Sequence, residues 1–210
     1  STSVASSFDD SELGNYVISS AKSQMKKGLS RQGSVMNMEM HAGKISCILS
    51  VRDWVITGDV DGKIVLWSSL TQEVLENYIF DPQQPILSLC WISGTEFWIA
   101  TSHDLYKVDI LSKGEHAQPS LAPEIVAKNA HVKEIKKMIL VGANVWTCCE
   151  ESVRVWNIET EERSMTLSIP NICDMILVSI KNLPVVWVAG KDRISLWSGR
   201  NSAILKTVFL

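Results

Sequence analysis

Four copies of one short pattern constrain this chain more than anything else in it. The first is VITGDVDGKIVLW, from Val55 to Trp67. Val55, Ile56 and Thr57 are strand formers, Asp61-Gly62 can supply the positive φ of a tight turn, and Ile64 and Leu66 alternate with Lys63 and Val65. The stretch reads as a β-hairpin. FWIATSHDLYKV (Phe97 to Val108), VWTCCEESVRVW (Val145 to Trp156) and VWVAGKDRISLW (Val186 to Trp197) repeat it. The closing residues Trp67, Val108, Trp156 and Trp197 are 41, 48 and 41 residues apart. Trp98, Trp146 and Trp187 each stand ten positions before the closing residue, and Ile56 stands eleven before Trp67, so the first turn is one residue longer.

A period in the forties, made of short strands and turns, predicts β-propeller blades. Around each hairpin the chain offers two more strands. Ile45 to Leu49, Ile86 to Ile92, His131 to Val141 and the segment from Cys173 read as strands before the hairpins, with Pro184 marking the turn into the last. Val35 to Met40, Glu73 to Phe80, Ile125 to Ala127 and Ile204 to Leu210 read as fourth strands. The polar, Pro-containing LSKGEHAQPSLAPEI after Asp109 reads as a loop and accounts for the longer interval. The expected fold is all-β: a partial or small propeller of about four four-stranded antiparallel blades over 35–210. Propellers generally hold more blades, so the expectation is a fragment of a longer chain or a ring completed by another subunit.

Residues 1–34 read as a Ser-rich linker. Within it Leu13, Tyr16, Val17, Ala21 and Met25 recur at helical spacing, predicting a short amphipathic helix over 10–27. Arg31 stands three before Ser34, and Lys26-Lys27 precede Ser30, so Ser30 and Ser34 are candidate phosphosites against the plainer reading of a solvated linker.

The residues around the first hairpin resemble the WD-repeat β-propeller family. That family joins a histidine before the first strand, a Ser or Thr in the second, an aspartate in the following turn and a tryptophan ending the third. His41, Thr57, Asp61 and Trp67 match that pattern in type and spacing and, by resemblance, form a structural tetrad. The third copy keeps His131 and Trp156, with Glu150 or Glu151 at the acid position; the fourth keeps Asp192 and Trp197 without a histidine; the second ends Val108-Asp109.

Composition narrows the function. A net charge of −3 with interspersed signs disfavours nucleic acid as a partner. No apolar run approaches the roughly 20 residues of a membrane-spanning helix, and STSVASSFDD has neither the basic nor the apolar region of a secretory leader. Cys47, Cys90, Cys148, Cys149 and Cys173 sit in strand patterns without metal spacing and read as reduced, buried thiols of a cytoplasmic protein. Adjacent Cys148 and Cys149 should face opposite sides of one strand.

His41, Thr57 and Asp61 superficially supply the groups of a catalytic triad, but the resemblance gives them a bracing role. His103, His116 and His131 are isolated, and no phosphate-binding or nucleophile-elbow motif occurs. Glu150-Glu151 and Glu159-Glu161-Glu162 read as solvated, and the basic run Lys133 to Lys137 as a strand edge or a small docking patch. The expectation is a non-enzymatic protein–protein interaction scaffold without cofactor or metal. Its candidate surfaces are the loop around Asp53 and the turns at Val60 to Lys63, His103-Asp104 and Lys191 to Arg193. The alternative is a regulatory or targeting segment of a larger signalling enzyme, such as a Rho-family exchange factor or an inositol phosphatase. Self-association through terminal strand edges is a further expectation.

Overall fold

The hairpin at Val55 to Trp67 forms as the alternation requires. Strand β2 (Trp54–Asp59) turns back into β3 (Lys63–Ser68), Val55 pairs with Trp67, and Gly62 takes the positive φ of 82° at the turn. β1 (Ile45–Val51) and β4 (Val74–Ile79) complete an antiparallel meander. The plan recurs three times: β5 (Ser88–Ser93), β6 (Glu96–Ala100), β7 (Leu105–Leu111) and β8 (Ser120–Ala127); β9 (Lys137–Val141), β10 (Asn144–Cys148), β11 (Ser152–Asn157) and β12 (Arg163–Ser168); β13 (Ile172–Ile180), β14 (Leu183–Gly190), β15 (Arg193–Ser198) and β16 (Ile204–Phe209). The result is an all-β protein of sixteen strands in four four-stranded antiparallel sheets among the described residues.

This computed structural model describes residues 40–80, 84–111 and 118–210. The expected helix over 10–27, Ser30, Ser34, His116 and all but the last residue of the strand expected at Val35 to Met40 lie outside the described residues; Met40 itself is in no strand. One compact unit spans Met40–Leu210.

Register fixes the equivalences between copies. Val55, Phe97, Val145 and Val186 pair with Trp67, Val108, Trp156 and Trp197 respectively, so the four closing residues are structurally matched. In three sheets an irregularity falls just before the closing tryptophan, between Leu66 and Trp67, Val155 and Trp156, and Leu196 and Trp197.

Three expectations are corrected. The loop after Asp109 is shorter than supposed, because β8 already starts at Ser120 and takes Pro123 opposite Val108. An edge strand tolerates proline, since one side of it needs no ladder donor. His131 precedes β9, which starts only at Lys137. The turn between β13 and β14 is Lys181-Asn182, whose φ values are 50° and 61°; Pro184 lies inside β14.

The core lies between sheets. The first sheet packs Ile56, Ile64 and Leu66 against Phe97, Ile99 and Val108 of the second. Trp98 of the second packs with Val145 and Trp156 of the third, and Trp146 of the third with Val186 and Val188 of the fourth. Strand alternation explains this: within each sheet, residues one apart face opposite neighbours. The first strands of the sheets run side by side, β1 against β5, β5 against β9 and β9 against β13. Gly58 permits the close approach of the first pair, since a Cβ there would meet Ile86 at 2.6 Å.

Candidate functional site

Four polar side chains meet beneath the first hairpin. Trp67 Nε1 donates to Thr57 Oγ1 at 2.8 Å, Thr57 Oγ1 lies 2.7 Å from His41 Nε2, and His41 Nδ1 lies 2.7 Å from Asp59 Oδ2. The proton arrangement that satisfies every member runs in one direction: indole to hydroxyl, hydroxyl to imidazole, imidazole to carboxylate. Asp59 Oδ1 also accepts the backbone N–H groups of Asp61 and Lys63, at 3.0 and 2.9 Å.

The acid in this chain is therefore Asp59, and the assignment of Asp61 is corrected. Asp59 ends β2 wholly buried, whereas Asp61 is exposed in the turn and contributes only its backbone N–H. The two aspartates are two positions apart, and the turn's demand for acceptors decides between them: a carboxylate at the first position caps the N–H groups that the turn leaves open.

The third sheet repeats the arrangement, with His131 and Thr147 each 90 residues after their counterparts and Trp156 89 after Trp67. Trp156 Nε1 donates to Thr147 Oγ1 at 2.9 Å, and Thr147 Oγ1 lies 2.7 Å from His131 Nε2. Here no acid closes the chain. The position of Asp59 is taken by Cys149, and His131 Nδ1 faces the Ser152 hydroxyl at 3.3 Å, itself 3.4 Å from Cys149 Sγ. Neither Glu150 nor Glu151 enters the network. Burial, then the nearby Arg154, Arg163 and His103, hold His131 down at about 3, so it is a neutral imidazole.

The other sheets have lost the middle of the chain. Ile99 and Val188 occupy the place of Thr57 and Thr147, and the buried Trp197 Nε1 has no acceptor. Asp192 is exposed and pairs with its neighbour Arg193, not with Trp197. The sequence offered a signal for this, because a tryptophan network needs Thr or Ser two residues after the valine opposite the tryptophan, and only Thr57 and Thr147 qualify among the three tryptophan-closed copies.

Geometrically, hydroxyl, imidazole and carboxylate in the first network resemble a nucleophile triad. Thr57 is only 6% exposed, however, and its oxygen already accepts the Trp67 N–H. What the arrangement does chemically is tie the loop before β1 to β2 and β3 from inside.

A second feature is a cavity of about 530 Å³ to which all four sheets or their approaches contribute: Ser46, Leu87, Lys133, Lys136, Glu150 and Cys173 line it. Lys136 Nζ donates to the Ile172 carbonyl at 2.6 Å, and next to it Lys137 is 2.9 Å from Asp174. The basic run thus clamps the third sheet to the fourth and leaves Lys133 exposed at the cavity mouth. Of the cysteines, Cys90, Cys148 and Cys149 are buried as expected; Cys47 is half-buried and Cys173 exposed, because its position falls at the irregular start of β13. Burial pushes the Cys90 and Cys148 thiols up to about 12.

Among the expected surfaces, Asp53, Val60, Asp61, Lys191 and Asp192 are exposed. The His103-Asp104 turn is engaged: the Asp104 carboxylate accepts the Asn129 N–H at 2.7 Å. No group of three or more His, Cys, Asp or Glu among the described residues could hold a metal ion, and no helix among them is long and apolar enough to cross a membrane. No protein-family model matches the chain, and no curated protein matches its sequence.

Proposed function

We propose that this chain is a non-enzymatic protein–protein interaction scaffold, with its four sheets acting as WD-like propeller blades around the shared cavity. The observation that carries this reading is the recurrence of the His–Thr–Trp chain in the first and third sheets. Buried polar groups there are consumed in holding loops to strands, which yields a rigid frame for variable surface residues. Asp59 at the end of β2 supplies the acid that the resemblance requires.

The mixed-charge cavity mouth is the natural docking place, since it gathers a lysine from the third repeat, a hydroxyl from the first and a thiol from the fourth within one concavity. Lys133→Glu combined with Glu150→Lys tests the idea. Cross-linking mass spectrometry on the wild type should recover a partner whose cross-links surround the cavity, and the double variant should lose that partner while melting normally. Recovery of the same partner with unchanged cross-links would refute docking at this site.

A further inference from the structure

One face of the third sheet collects positive charge that nothing beside it neutralises. Arg154 alternates with Val153 and Val155 on β11, so it shares the face of Trp156, the one that packs on the second sheet. Arg163, at the start of β12, is paired with Trp156, and Arg154 is opposite Thr166. Paired residues point to the same side, so the two arginines are diagonal neighbours within reach of each other's long side chains. Both stand at the seam between the second and third sheets, with a described sheet on either side.

Their bonds to the protein leave most of their donors free. Arg154 is half-buried; its Nη1 donates to the Ala130 carbonyl, and its buried Nε has no acceptor. Arg163 is exposed. Among the described residues no carboxylate forms an ion pair with either. The acids of the seam are engaged elsewhere: Glu124 and Glu161 both lie on Lys107, at 3.1 and 2.6 Å, and the Asp104 carboxylate accepts the Asn129 N–H. Burial, and after it the nearby Arg163, holds the Arg154 guanidinium below its usual range. A guanidinium drawn out of water is ordinarily matched by an anion, and here the protein supplies none.

We propose that Arg154 and Arg163 together bind a phosphate-monoester dianion at the seam between the second and third sheets. Two planar donor forks converging from adjacent strands suit a group with three equivalent oxygens and two charges better than a single carboxylate. Arg154 is the fixed member, held by the Ala130 carbonyl, and Arg163 the exposed one that meets the ligand first. The same group is carried by a free phosphate and by a phosphorylated serine of another protein. The site is apart from the cavity, whose lining includes neither arginine, and it does not rest on docking there.

Fluorescence anisotropy with the full chain at low ionic strength tests it, using a labelled phosphoserine peptide in a glycine-alanine background with unphosphorylated and glutamate twins. The phosphopeptide should bind about tenfold or more tighter than either twin, and Arg163→Gln should weaken it by about tenfold while melting like the wild type. If that variant melts differently, Arg163→Lys, which keeps the charge and loses the fork, should still weaken binding. The pair Lys133→Glu and Glu150→Lys should leave it unchanged, which separates this site from the cavity. Inorganic phosphate as competitor identifies the source: displacement at concentrations like the peptide's assigns the site to free phosphate, and a need for much higher concentrations assigns it to a phosphoprotein. Absence of binding by both phosphopeptide and inorganic phosphate, equal binding of the glutamate twin, or undiminished binding by the folded Arg163 variant overturns the proposal.

Discussion

His41 Nδ1 lies 2.7 Å from Asp59 Oδ2, with both side chains almost wholly buried, at 5% and 1% exposure. This contact spans 18 residues and joins the loop before β1 to the end of β2. It makes the first sheet dependent on one carboxylate that also caps two turn N–H groups.

Replacing Asp59 by alanine leaves the His41 N–H and two backbone N–H groups without acceptors, and should cost about 1 to 3 kcal/mol. Asp61→Ala should stay within about 0.5 kcal/mol of the wild type, because only the backbone of Asp61 serves the network. Urea unfolding of both variants separates them. Equal losses would mean that the two aspartates share the role.

His131 gives the protein a pH dependence whose sign follows from its burial. Its folded value is depressed to about 3 from an ordinary 6.5. The stabilisation is complete above about pH 6.5 and is lost as the pH falls from there towards 3, as the unfolded chain takes up a proton that the folded chain refuses. Over that window the slope from this group approaches about 1.4 kcal/mol per pH unit. His131→Gln, which keeps an acceptor for Thr147, should flatten the profile of unfolding free energy against pH between 6 and 4. An unchanged slope would show that His131 does not carry it.

Thr147 holds both His131 and Trp156, so Thr147→Val should destabilise by about 1 to 3 kcal/mol by orphaning a buried ring nitrogen and an indole N–H. The reverse change in the fourth sheet, Val188→Thr, offers Trp197 Nε1 the acceptor it lacks. A gain of about 0.5 to 1 kcal/mol is expected there, with the new hydroxyl donating to the carbonyl of Ser195, as Thr147 can to Arg154. Paired denaturation curves should move in opposite directions.

The cysteines should divide by accessibility. Cys173 is exposed and should alkylate rapidly in the native protein, whereas Cys90 and Cys148 are buried with thiols held near 12 and should react only on unfolding. Peptide mass mapping after brief maleimide treatment reads this directly. Labelling of Cys148 as fast as Cys173 would contradict the placement of β10 in the core.

The hairpins were legible because their information is local. Two-residue alternation and a tryptophan at a fixed interval specify each strand pair within about a dozen residues, helped in the first by a glycine able to take positive φ. The terminal segment from Ile204 was legible as a strand for the same reason, but its choice of β15 as partner was not.

The membership of the buried network was only half legible. His41, Thr57 and Trp67 could be matched by type and spacing. The acid could not, because Asp59 and Asp61 are equivalent in sequence and differ only in which one the turn folds inward. Likewise Cys149 and Ser152 stand where the glutamates were expected in the third sheet, and that exchange depends on which side chains the turn folds inward.

By itself, then, the sequence determined four hairpins and the tryptophans that close three of them, since each rests on contacts a few residues apart along the chain. Only the tertiary structure decided that Asp59 meets His41 and that Ile56, Trp98 and Trp146 are sealed between sheets. Those outcomes depend on which sheet lies against which face, and burial of that kind is a property of neighbours distant in sequence.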